Sequence, residues 1–397
     1  MKIKSLFYFV RKNASRTYPV IAVVTLIAGL MLYKLGSLTG GLSSGEVNVA
    51  HTAIGWHGIR NNPFYLPLNF VRSVLMVLFN HHGQTVIRLG NTLFGVLAVV
   101  TFSRLVQLWY GSRTAALSSI LFITSAWMLH VSRVATNDVM YLAALPVLFY
   151  VQIGLKKAQK PRWLFFAAVI WGLALYIPGL IWLIGVQVWL LRKEIKQLLT
   201  GLKDIKKRVA LGLSVVVWLP LLLVYLLSSR SAFITWLGLP EHMPSLSEFA
   251  KQLAAVPVHL FVHGPMNPEL WLGKAPLLDI FSLVCCVLGI YFYATHLKAS
   301  RSRSLFSIFG VSWILIALGG PVTLSLLVPL LYLFVACGIG YLLHDWLKVF
   351  PRNPLARAFG ISLIAIAVAF SSFYNLRAYF IAWPHNRDTI STFTRKL

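Results

Sequence analysis

The chain is short of charge, and shorter still of negative charge. Only 12% of its 397 residues are Asp, Glu, Lys or Arg, about half of the ~25% found in an ordinary soluble domain. Ten are acidic and 36 are basic, so the net charge is +26. There are three cysteines: Cys285 and Cys286 adjoin in one apolar run and Cys337 lies in another. No CxxC or zinc spacing is present. That sets aside a redox pair or a zinc ribbon and leaves three small buried hydrophobes.

What fills the chain instead is hydrophobic: 58% of the residues, with a mean hydropathy of +0.75. Many apolar runs approach the roughly 20 residues that cross a bilayer as a helix. The reading is an all-α polytopic membrane protein. In a soluble protein a charge of +26 would suggest nucleic acid. Here the basic residues cluster between apolar runs, so membrane topology accounts for them and nucleic-acid binding is not expected.

About eleven spans follow: 19–35, 89–108, 115–131, 139–155, 163–177, 179–191, 209–227, 277–297, 305–318, 322–343 and 358–374. With the N-terminus inside, the intervening segments 1–18, 104–114, 156–162, 192–208, 298–304 and 344–357 hold 24 of the 36 Lys and Arg residues. Counting the apolar run 64–79 as a further span would invert every later loop and put most of that charge outside. Arg72 at its centre also suits an interfacial helix. The basic cluster before residue 19 and the lack of a clear small-residue cleavage site point to a retained signal anchor. Residues 1–375 then form one transmembrane domain, with a first outer loop at 36–88 and a long outer loop at 228–276. Residues 376–397 form a short outer tail.

Candidate chemistry collects on the outer side. A membrane enzyme that activates a hydroxyl needs a carboxylate base, and few acids are on offer. Glu46 is either a first-turn helix acid or catalytic. Asp138, at a membrane edge beside Arg133, is an ion-pair partner, a helix cap or a functional group. Arg60, Arg72 and Arg88 suit phosphate oxygens and lipid headgroups alike. Asn61-Asn62-Pro63 opens the interfacial helix. His259 and His263 have the i, i+4 spacing of metal ligands, with Glu269 nearby, but no HExxH pattern; a surface role is the simpler account. His81-His82 carries the same weak signal.

Several segments together resemble the GT-C superfamily of membrane glycosyltransferases. Within it they resemble the protein O-mannosyltransferase group, which includes the lipid A aminoarabinose transferases. Gly45-Glu46 stands where that group has an Asp-Glu pair, and Asn61-Asn62-Pro63-Phe64-Tyr65 resembles its proline segment. The run from Arg88-Leu89-Gly90 to Gly95, then Tyr110-Gly111-Ser112-Arg113 and Thr124-Ser125-Ala126-Trp127, follows its next spans. Arg133 and Asp138 match a following Arg and Asp. Trp171–Tyr176, then Gly264, Asn267-Pro268 and Pro276–Asp279, and finally Trp383-Pro384 continue the likeness. One departure stands out: Gly45 replaces the group's first acid.

The resemblance implies a glycosyltransferase that moves a sugar from a polyprenyl-phosphate donor to an acceptor hydroxyl on the outer face, with inversion. The acceptor is a protein, a lipid or a polysaccharide. Glu46 is then the first choice for the base and Asp138 the second. Arg133, Arg88 and Arg60 are implied for the donor phosphate, and Asn62, His51, Tyr176 and Asn267 for the sugar or acceptor pocket. Some relatives use a divalent metal. The charge bias suits a prokaryotic plasma membrane, although an endoplasmic reticulum membrane obeys the same rule. The rival readings are a transporter or lipid flippase, against which no inverted repeat is seen, and an inactive relative serving as a scaffold.

Overall fold

The computed structural model describes residues 26–53, 64–79, 83–158, 161–202, 230–265, 267–273 and 275–395, together with 204–206, 208–209 and 212. The signal-anchor cluster, the run 213–227, Arg60, Asn62 and His81-His82 lie outside the described residues. The described residues are helical and contain no strand. Their single β-bridge pairs Leu42 with Arg395.

A short helix, α1 (Ser44–Ala53), is followed by α2 (Leu66–Phe79), α3 (Gln84–Tyr110), α4 (Ser112–Thr124), α5 (Ala126–Arg133) and α6 (Val139–Ala158). Then come α7 (Pro161–Ala174), α8 (Leu180–Leu190), α9 (Arg192–Thr200), α10 (Arg230–Trp236) and α11 (Leu246–Phe261). The chain closes with α12 (Ile280–Thr295), α13 (Ser300–Ala317), α14 (Val328–Val349), α15 (Pro354–Arg377) and α16 (Arg387–Thr392). Four described stretches are long and apolar enough to cross a membrane: Gln84–Tyr110, Val139–Lys157, Leu324–Val349 and Pro354–Ala382. Two bent pairs raise that to six if each counts as one span. The protein is an integral, polytopic, all-α membrane protein.

The bends have causes in the sequence. Between α4 and α5 the axis turns by 58° at Ser125, whose hydroxyl accepts from Met128 N as a helix cap. Asn375 Oδ1 takes the freed Ala126 N–H, and Thr124 Oγ1 donates to Ser372. Between α12 and α13 the turn is 119°, where the sequence placed a basic loop. The runs 163–177 and 179–191 are shorter helices, of 14 and 11 residues, joined at Pro178 and at Gly179, which has φ +79°.

The tightest packing is between α12 and α14. A Cβ on Gly289 would come within 2.0 Å of Phe334 O, and one on Gly338 within 2.0 Å of Cys285 O. Two backbones can approach this closely only where side chains are missing, the usual device for joining helices in lipid. All three cysteines are buried, free thiols at this crossing, as the apolar runs predict. Gly338→Ala is therefore expected to force the two helices apart and cost about 1–3 kcal/mol. A lowered thermal unfolding midpoint in detergent checks it, and an unchanged midpoint would show that the helices separate freely.

Described connecting segments meet in two separate groups. At one end Arg301 reaches Trp109, stacking on its ring and donating to its carbonyl, and Lys156 donates to Ser300. At the other end the first loop, the link 132–138, the loop 264–279 and the tail meet. That second end gathers Glu46, Asp138, Arg88 and Arg133. Trp383 and Phe393 of the tail are buried in the main core there.

Candidate active site at the mouth of the bundle

Glu46 is completely buried. It stands three residues after Ser43 in a reciprocal cap, with Ser43 N–H donating to its Oε2 and Glu46 N–H donating to Ser43 Oγ. Arg88, near the start of α3, grips both carboxylate oxygens: Nε to Oε1 at 2.8 Å and Nη2 to Oε2 at 2.8 Å. Ala135 N–H gives Oε1 a further bond at 2.9 Å. Arg88 also donates to Leu35 O, Thr39 Oγ1 and Gly41 O. The pair is a closed staple that ties the first loop to α3 and to the link after α5. Each oxygen of Glu46 already accepts two hydrogen bonds, and each nitrogen of Arg88 already donates.

Arg133 does not pair with Asp138, the ion pair weighed from the sequence. Its guanidinium turns toward the end of the helical stretch 26–32, donating to Leu30 O, Met31 O and Tyr33 O, and lies over the rings of Tyr379 and Phe380. A cation is favourable against the free carbonyls of a helix C-terminus.

Asp138 is thereby left without a cationic partner among the described residues. It is half-buried, and its Oδ2 accepts from Ser325 Oγ at 3.3 Å. That hydroxyl is in turn oriented by Trp127 Nε1 at 3.1 Å. Burial lifts the Asp138 carboxyl from the ordinary carboxylate range to about 6, against the opposing pull of the Thr323 and Ser325 hydroxyls. Tyr65 and Tyr141 bring their hydroxyls together at 3.3 Å, and Tyr141 also reaches Pro178 O and Pro321 O. Tyr176 is buried and holds this corner through its backbone, its carbonyl accepting from Tyr65 N at 2.8 Å.

An apolar groove of about 100 Å³ runs from this corner between α2, α3, α6 and α7. Pro67, Phe94, Met140, Ala144, Leu173 and Ile177 are among its walls. Three of these stand one or two residues from Tyr65, Asp138 and Tyr176, so the groove and the polar corner share one end.

Arg72 is a candidate that the sequence reading left out of the donor-phosphate set. The sequence left phosphate oxygens and lipid headgroups open for it on an interfacial helix; it is fully buried, and α2 turns Phe70, Val77 and Leu78 outward instead. Its guanidinium donates only to neutral acceptors: Asn69 Oδ1, Asn91 Oδ1, Asn137 Oδ1 and Thr136 O. Its charge is held beside Asn137, next in sequence to Asp138, with no carboxylate on it. The asparagines at 69, 91 and 137 were the available signal, because a buried guanidinium needs acceptors on all sides.

The remaining candidates are dispersed. His51 is exposed on α1. Asn267 is exposed and accepts from Glu269 N–H, shaping a turn. His259 and His263 stack edge to face with ring centres 5.4 Å apart. Among the described residues no three His, Cys, Asp or Glu side chains converge on a metal position, and Arg88 occupies Glu46. The described residues therefore do not fit a metal site.

Residues 66–227 match the family model of dolichyl-phosphate-mannose-protein mannosyltransferases. No curated protein matches the sequence. Among solved structures, ArnT from Cupriavidus metallidurans bound to undecaprenyl phosphate is similar over 96% of this chain and 77% of its own, with a TM-score of 0.56 and 13% identity. The Archaeoglobus fulgidus oligosaccharyltransferase is similar over 93% of this chain and 56% of its own, with a TM-score of 0.58 and 14% identity. Its complex with an inhibitory peptide and a dolichol-phosphate has a TM-score of 0.52. The chain thus has the GT-C fold that its sequence resembles, along nearly its whole length, and bears the mannosyltransferase family pattern over residues 66–227.

Proposed function

We propose that the protein is a membrane glycosyltransferase that moves a sugar from a polyprenyl-phosphate donor to an acceptor hydroxyl on the outer face, with inversion at the anomeric carbon. The observation that carries this reading is the shared end of the apolar groove and the cation-free carboxylate Asp138. A lipid-linked donor needs a greasy channel for its isoprenoid and a polar head site where the two meet.

In this reading the groove takes the start of the isoprenoid chain. As the bond from the anomeric carbon to the phosphate oxygen breaks, its electron pair leaves on the polyprenyl phosphate. The sugar passes through an oxocarbenium-like state, and the ionised Asp138 carboxylate steadies that positive charge. The leaving phosphate gains negative charge, which the unneutralised Arg72 stabilises through its field in a low-dielectric setting. The sequence also offered Arg88, Arg133 and Arg60 for the phosphate. Arg88 and Arg133 are committed to protein acceptors, which leaves Arg60, just before the Phe64-Tyr65 corner in sequence, as the candidate for direct contact.

The test is transfer of label from a panel of radiolabelled polyprenyl-phosphate sugars to membrane extract by the protein in lipid nanodiscs. Sugar-dependent transfer supports the reading. Movement of donor across liposomes without any transfer would replace it with a flippase. The groove makes its own prediction: Ala144→Trp is expected to raise the donor KM roughly tenfold, by crowding of about 1.4 kcal/mol, with kcat little changed. An unchanged KM would move the isoprenoid elsewhere.

A further inference from the structure

The loop after α11 delivers a second carboxylate to the mouth. Glu269 is half-buried, and its Oε1 accepts from Ser43 Oγ at 2.6 Å. It can reach Ser43 because residue 45 has no side chain. A Cβ on Gly45 would lie 2.0 Å from Glu269 Oε1 and 3.0 Å from its carboxyl carbon. The carboxylate occupies the space beside the first loop that any other residue at 45 would fill.

Its backbone is fixed on both sides. Glu269 O accepts from His130 Nε2 at 2.8 Å, Glu269 N–H donates to Asn267 Oδ1 at 3.0 Å, and Trp383 Nε1 donates to Pro268 O at 3.4 Å. His130 is itself held edge-on against Tyr379 and Trp383. Unlike Glu46 next door, Glu269 makes no ion pair among the described residues, and its Oε2 accepts from no described group. A carboxylate held in place by its own backbone, half-open to solvent and not neutralised, is arranged to accept a proton rather than to hold a structure together.

We infer that Glu269 is the general base of the site, reaching across from the later loop into the space left by Gly45. This rests on the glycosyltransferase reading above. The acceptor O–H bond breaks with its proton passing to Glu269 Oε2. The acceptor oxygen bonds to the anomeric carbon as the phosphate departs with the electron pair of the broken bond. Glu46 and Arg88 build the wall behind it, and Asp138 faces the donor.

The test uses the donor that the wild-type protein accepts from the panel, in nanodiscs, with the thermal midpoint of each variant recorded. Glu269→Gln is expected to lower kcat about 100-fold with donor KM and the midpoint unchanged. Gly45→Ala, which pushes the carboxylate aside, is expected to lower kcat in the same direction. Formate added to Glu269→Ala is expected to restore part of the lost turnover, which a merely structural role would not allow. Returning the acid from the first loop, in Gly45→Asp with Glu269→Ala, is expected to recover at least about tenfold over Glu269→Ala alone. Turnover of Glu269→Gln within about threefold of wild type overturns the inference while leaving the glycosyltransferase reading intact. Wild-type protein that transfers no sugar from any donor overturns both.

Discussion

Arg88→Ala is expected to lose about 3–5 kcal/mol of stability, the cost of leaving one member of a buried ion pair alone. The reason is the position of Glu46, which has no exposed surface and keeps its charge in a low dielectric chiefly because two nitrogens of Arg88 hold it. The substitution also strips donors from Leu35 O, Thr39 Oγ1 and Gly41 O. The whole first loop loses its anchor to α3. Thermal unfolding in nanodiscs is the measurement, with Glu46→Gln beside it. The glutamine removes the charge but keeps a hydrogen-bonding shape, so its midpoint is expected between Arg88→Ala and wild type. If Arg88→Ala unfolded like wild type while transfer vanished, the guanidinium would act on substrate and the staple would be incidental.

Asp138→Asn is expected to behave in the opposite way, keeping its thermal midpoint and losing kcat about 1,000-fold, the upper range for removal of one preorganised electrostatic contact. The side chain has no cation to abandon among the described residues and meets only neutral hydroxyls, Ser325 Oγ at 3.3 Å and the nearby Thr323, so an amide fits with little structural loss. The pH dependence follows from its sign. Burial raises the Asp138 carboxyl to about 6, so the ionised form needed against the sugar fills in as pH rises through about 6 and empties below it. Wild-type kcat is expected to climb through that window and then level off. The asparagine variant is expected to lack that limb. A limb that persisted unchanged in Asp138→Asn would assign it to another group and detach Asp138 from the chemistry.

Much of this was legible from residue types. Alternating basic segments between apolar runs suggested two ends to the bundle, and three of those segments do meet, through Arg301 on Trp109 and Lys156 on Ser300. The scarcity of acids made Glu46 and Asp138 conspicuous. What residue types do not carry is which partner a buried charge meets. Glu46 and Arg88 were weighed as base and phosphate ligand when each was the other's counter-ion. In a chain with so few acids, a fully buried carboxylate has to find one of the many cations. Arg133 and Asp138 sit close in sequence and part company, because the free carbonyls at 30, 31 and 33 compete successfully for the guanidinium. Glu269 was set beside two histidines, its sequence neighbours. Its real neighbour, Ser43, is 226 residues away, and only the absence of a side chain at Gly45 lets them meet. That is a tertiary fact, written in the sequence as one missing acid and one unassigned one.

The bridge between Leu42 and Arg395, with bonds of 2.8 and 3.1 Å, has a consequence for biosynthesis. Leu42 adjoins Ser43, the residue that receives Glu269, so the segment after α16 braces the segment just before α1. A ribosome that stopped after α15 would release a polypeptide with its spans inserted but with Leu42 unpaired and Trp383 and Phe393 missing from the core. Partial products would therefore sit in the bilayer with an unsealed mouth and, in the reading above, no working catalytic centre. The mouth is therefore sealed only once the segment around residue 395 has been made and has folded back on Leu42.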